Sequence, residues 1–124
     1  MFNFELLLSA IIFVTIDYIY LNLMKGYFGN QVKRIQGSPM KINLFGVVIC
    51  YIFLIIGINY FIIKQNRSIQ DAFLLGLIIY ATFDFTNLAL FDNWSIFTAI
   101  IDSLWGGILF ASTTFAVKKI NKII

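Results

Sequence analysis

The chain has 124 residues, 60% of them hydrophobic and only 12% charged, with a net charge of +3. Soluble domains carry about 25% charged residues, so this chain has too little polar surface to face water on all sides. It has no histidine, which excludes the common zinc hydrolases and His-based triads, and its single cysteine excludes an intrachain disulfide.

Four long apolar runs lie at residues 4–24, 42–63, 69–91 and 95–117. At 1.5 Å per residue, runs of about 20 residues cross a hydrocarbon core about 30 Å thick. They lack the apolar/polar alternation of a barrel strand, and only helices otherwise satisfy every backbone group in lipid. The expected fold class is therefore all-α: an integral membrane, multi-pass four-helix bundle made of two helical hairpins, with residues 1–124 as one domain.

The first run has no basic start and is too long for a signal-peptide core, so it is read as a retained span. Residues 25–41 read as a polar loop holding Gly26, Gly29, Gly37 and the only proline, Pro39. Within it, residues 30–36 suit either a short helix on the membrane surface or an ordinary solvated loop. In the second run Gly46, Cys50 and Gly57 suggest a weak small-residue packing face. Residues 64–68 form a basic turn, and residues 92–94 form a tighter one in which Trp94 suits the membrane interface. The fourth run carries Ala99, Ser103, Gly107 and Ala111 at four-residue spacing, with Gly106 beside them. That ridge of small side chains admits a close neighbour, either a helix of the same chain or one of a second copy. The tail holds Lys118, Lys119 and Lys122.

An even number of spans puts both termini on one side, together with Lys64 and Arg67. The other side collects Lys25, Lys33, Arg34 and Lys41. Five basic residues against four are too evenly split for the positive-inside rule to set the orientation. No basic patch interleaved with exposed aromatics points to nucleic acid.

Three aspartates lie inside the runs: Asp17, Asp84 and Asp102. Counted from the nearer helix ends, all three fall roughly 10 Å in from the same face. Ionised and unpaired, they would together cost about 8–10 kcal/mol on the insertion scale. No Lys, Arg or His lies in the spans to neutralise them. Protonation, a shared proton, or a water-filled cavity that attracts a cation are the ways out. By helical spacing, Tyr20 is placed to serve Asp17, Tyr80 and Asn87 to serve Asp84, and Trp105 to serve Asp102. The stretches FVTIDYIYLNL (residues 13–23) and YATFDFTNLAL (residues 80–90) also echo one another around Thr-x-Asp. The echo suggests a parallel internal repeat.

The residues Phe83-Asp84-Phe85-Thr86-Asn87-Leu88-Ala89, Trp94 and Asp102-Ser103-Leu104-Trp105-Gly106, with Asp17 in the first span, resemble the four-span membrane proteins filed as domain of unknown function 2177. The resemblance covers nearly the whole chain. It implies a four-helix membrane protein whose signature residues are Asp17, Asp84, Thr86, Asn87, Asp102, Trp105 and Gly106, and it implies no reaction.

The expected site is a proton, cation or polar-ligand site at Asp17, Asp84, Thr86, Asn87, Asp102 and Trp105, serving transport or a channel. A second reading makes the protein a structural component of a larger assembly, a protein complex or a virion membrane, with the polar groups as interhelical struts. A third is an intramembrane enzyme, since Asp84 and Asp102 sit on adjacent helices as in intramembrane aspartyl proteases. The Gly-x-Gly-Asp motif of those enzymes is missing. No cofactor, metal set or catalytic residue is expected. The expected partners are the lipid bilayer and either a second copy or a membrane-complex partner, without nucleic acid.

Overall fold

A computed structural model describes residues 4–123. Four helices account for most of them, and among the described residues there is no strand: α1 (Phe4–Gln36), α2 (Leu44–Ile58), α3 (Ile69–Leu90) and α4 (Ile96–Ile123). A π-helical turn, Asn59–Ile63, extends α2, so the second span runs Leu44–Ile63. All four helices are long and apolar enough to cross a membrane. The helix starts follow local chemistry. Asn43 caps α2 by accepting from the Gly46 amide at 3.1 Å, and Ser68 caps α3 by accepting from the Asp71 amide at 3.0 Å.

The supposed loop at residues 25–41 is mostly helix. α1 continues without a break to Gln36, 33 residues in all, or about 50 Å, which exceeds the hydrocarbon core by a wide margin. It stops at Gly37, whose positive φ of 76° suits a residue without Cβ and whose amide bonds back to the Lys33 carbonyl at 2.9 Å. Both alternatives for residues 30–36 are thereby replaced by a helical extension of the first span.

That extension braces the α3–α4 turn. Gln31 is fully buried. Its Nε2 donates to the Asn93 carbonyl at 2.6 Å, and its Oε1 accepts from the Ser95 amide at 3.1 Å and the Thr98 hydroxyl at 3.0 Å. Tyr27 shares a 2.7 Å bond with the same hydroxyl, and Asn93 Nδ2 donates to the Arg34 carbonyl at 3.2 Å. One amide thus satisfies three groups at the start of α4. Gln31→Ala strands them, so it is expected to lower stability by about 2–3 kcal/mol, read by thermal unfolding in detergent.

α3 and α4 form the closest pair. The small residues of α4 meet α3 of the same chain. Ala99, Ser103, Gly106 and Gly107 are buried and Ala111 half-buried. The partner positions are Phe73, Gly76 and Tyr80. The other suggested small face does not pack this way: no atom lies within 4 Å of a Cβ built at Gly46 or Gly57, and Cys50 is exposed. α2 leans on α1 and leaves most of its surface toward lipid.

The start of α1, the end of α4 and the 64–68 turn share one face of the bundle. Asn121 Nδ2 donates to Glu5 at 2.8 Å, and Lys118 Nζ donates to Asn66 at 3.3 Å. We call this the terminal face. The opposite end, with residues 37–43 and 91–95, is the loop face. The half nearer the terminal face is a packed apolar core of Phe13, Ile58, Ile62, Ala72, Leu109, Phe110 and Val117. Phe13 and Phe110 meet edge to face there, with ring centroids 5.4 Å apart.

Candidate functional site

The inner face of α1 presents Ser9, Phe13, Asp17 and Tyr20 in succession, at spacings of three and four. The Thr-x-Asp echo has a simple physical content. Two residues along a helix turn about 200°, so a Thr facing lipid puts the Asp inward. Thr15 and Thr82 are both exposed, and each quiets its hydroxyl on the carbonyl one turn back, Ile11 and Ile78, at 2.7 Å. Asp17 and Asp84 are both buried.

The three carboxyls are held differently. Asp17 is saturated: the Tyr51 hydroxyl of α2 donates to Oδ2, and Trp105 Nε1 of α4 donates to Oδ1 at 2.9 Å. Asp102 accepts from the Tyr20 hydroxyl at 3.2 Å. Tyr20 and Trp105 stack face to face, with centroids 4.2 Å apart, and so tie the two carboxyl stations together. Asp84 is 0% exposed, yet no N–H or hydroxyl donor reaches either of its oxygens. Both of its oxygens are thus left without a partner, and it lines one cavity together with Asp102.

Helical spacing placed the donors beside carboxyls of their own helices. The structure hands them across: Tyr20 serves Asp102, and Trp105 serves Asp17. Spacing along one helix says which residues share a face, while side-chain direction and helix crossing decide which of them touch. Asp17, Asp84, Asp102 and Trp105 are brought together. Thr86 is not: it is exposed and bonds back to the Thr82 carbonyl at 2.6 Å. Asn87 is half-buried, and its carbonyl accepts from the Phe91 amide at the end of α3. Tyr51 and Gln31 are site residues that sequence reasoning passed over.

Three cavities border the cluster. One of about 460 Å³ runs from Met40, Lys41 and Asn43 at the loop face down to Asp17, Tyr51 and Tyr80. Another, of about 270 Å³, lies between α2 and α3 and reaches Asp102 past Cys50, Leu54 and Phe83. The third, about 210 Å³, holds both Asp84 and Asp102 beneath Phe28 and Trp94. Among the described residues no group of three or more His, Cys, Asp or Glu side chains converges as a metal ion would require.

Four apolar helices of spanning length, packed together, define a multi-pass integral membrane protein. Within that class the chain belongs to the family described as Predicted membrane protein (DUF2177), which it matches over residues 3–118. No curated protein and no solved structure matches it.

Proposed function

We propose that the protein is a small proton-coupled cation transporter, and that the Asp84–Asp102 pair is the group that takes up and releases the proton. The observation that carries this reading is the state of Asp84, a buried carboxyl with no donor that lines one cavity with Asp102. A pure strut would be matched to donors, as Asp17 is. Intramembrane carboxylates with no cationic partner are expensive and mark proton or ion pathways.

The surroundings support the same reading. One cavity leads from the loop face to Asp17 and another, bordered by Trp94, holds Asp84 and Asp102, while Phe13, Leu109 and Phe110 fill the section toward the terminal face. A site reached from one side and plugged on the other is what alternating access requires of one of its two states. Asp17 then serves as a fixed anchor for α1, α2 and α4, and Tyr20 orients Asp102.

The test is proton flux into liposomes that carry an internal pH dye and a cation gradient. Wild-type protein is expected to couple the gradient to a pH change. Asp102→Asn, which keeps the side chain's size and removes the shared proton, is expected to fall to the level of protein-free liposomes. Unchanged flux in that variant would sink the proposal.

A further inference from the structure

The cavity that holds the carboxyl pair has a specific lining. Asp84 and Asp102 lie together, and Phe28, Phe83 and Trp94 supply aromatic walls. Phe83 and Trp94 meet at right angles, centroids 6.4 Å apart. Trp94 adds a second unmet group, since its Nε1–H is buried without an acceptor. The other polar side chain there, Gln31, is already engaged with Asn93, Ser95 and Thr98. Three chemical demands are thus open in one space: a negative charge without a counter-ion, electron-rich ring faces, and one N–H donor.

We propose that this cavity binds a small organic ammonium ion bearing an oxygen, such as an amino alcohol, and that the ion takes the place of the proton on the Asp84–Asp102 pair. The inference rests on the transport reading above and names its substrate class. Aromatic faces attract ammonium groups through the ring quadrupole, and quaternary ammonium ions are the usual guests of aromatic cages. A bare inorganic cation would want about six oxygen ligands, and the engaged Gln31 amide leaves only the two carboxyls. A volume of about 210 Å³ is about seven times one water's share of the liquid, which limits the guest to roughly seven heavy atoms.

The charge arithmetic gives the coupling. With one shared proton the pair carries a single negative charge. With an ammonium bound and the proton gone, two carboxylates and one cation again sum to a single negative charge. The carboxyl O–H gives its proton to water as the ammonium enters, so the exchange is one for one. Other titratable or charged groups around the pair are Asp17, Tyr20 and, bonded to Gln31 outside the cavity lining, Arg34 of α1; Cys50 and Tyr51 of α2; and Tyr80 of α3. Arg34 is exposed and screened by solvent.

The test is equilibrium binding of radiolabelled choline to the full chain in lipid nanodiscs, with tetramethylammonium and sodium as competitors. Choline and tetramethylammonium carry permanent charge, so pH acts on the protein alone. Saturable choline binding is expected, displaced by tetramethylammonium and not by sodium at equal ionic strength. Its affinity is expected to rise about tenfold per pH unit while the pair still holds its proton. Asp84→Asn is expected to weaken binding about 100-fold. Trp94→Leu, at the rim and independent of the carboxyls, is expected to weaken it about 5- to 30-fold. Binding displaced by sodium as readily as by tetramethylammonium, binding independent of pH, or binding untouched by both substitutions would each overturn the proposal. Proton flux without choline binding would overturn this substrate class and leave the transport reading standing. Choline binding without flux would do the reverse.

Discussion

Gly76→Val and Gly106→Val are each expected to cost about 3 kcal/mol or more and to leave little folded protein in detergent, as read by thermal unfolding and by gel-filtration profile. A Cβ built at Gly76 runs into the Gly106 carbonyl, and it also falls 2.8 Å from Phe110 Cγ. A Cβ at Gly106 runs into the root of the Tyr80 ring and falls 2.5 Å from Tyr80 Cβ. Neither obstacle is the free end of a flexible side chain, so relief requires α3 and α4 to separate. Their close approach is what holds Asp84 opposite Asp102. Gly107→Ala should cost less, because its obstacle is the Phe73 ring at 2.7 Å, and a ring edge can turn aside. Gly57→Ala is the control. Nothing lies within 4 Å of its Cβ position, so the gain in helix propensity makes it neutral or stabilising by up to about 1 kcal/mol. Equal losses at positions 57 and 106 would mean that the α3–α4 contact is not the tight one.

How far the sequence foretells this architecture depends on what each signal measures. Four spans were legible because lipid leaves helices as the only option, and apolar runs mark where lipid begins and ends. They do not mark where a helix ends. Lys25 closes the first apolar run, yet α1 continues to Gln36, because its polar face finds Asn93, Ser95 and Thr98. Gln31 looked like any solvated loop residue, since its partners lie more than 60 positions away in the chain. That Asp17, Asp84 and Asp102 belong at one level was suggested by counting along the apolar runs, and the structure brings their side chains into one cluster. Their hydrogen-bond partners were not legible in this way, because those depend on helix rotation and crossing, which no single helix encodes. The small-residue ridge of α4 was visible as a repeat. Gly76, its counterpart on α3, stands alone and gave no pattern. For the same reason Cys50 and Gly57 were read as a packing face when α2 simply faces lipid and the cavities.

Asp17 and Asp84 look alike in sequence, and substitution to asparagine is expected to separate them in opposite senses. Asp17→Asn replaces two acceptor oxygens with one acceptor and one amino group. One of its two donors, Tyr51 or Trp105, then faces a donor and is left unpaired. The expected cost is about 2 kcal/mol, with α2 loosened because Tyr51 is its polar tie to the cluster. Flux per folded molecule should survive. Asp84→Asn does the reverse. No N–H or hydroxyl serves the native carboxyl, and the new amide brings a donor of its own into the cavity shared with Asp102. Stability should hold or rise by up to about 1 kcal/mol, because the amide gives the buried position the donor it lacks. Proton flux should fall to the protein-free level, since the pair no longer has a proton to exchange. Unfolding measurements in bicelles, paired with liposome flux for both variants, decide the matter. Loss of stability at Asp84 with flux retained would make it a strut. Loss of flux at Asp17 with stability retained would move the working carboxyl from the α3–α4 pair to α1.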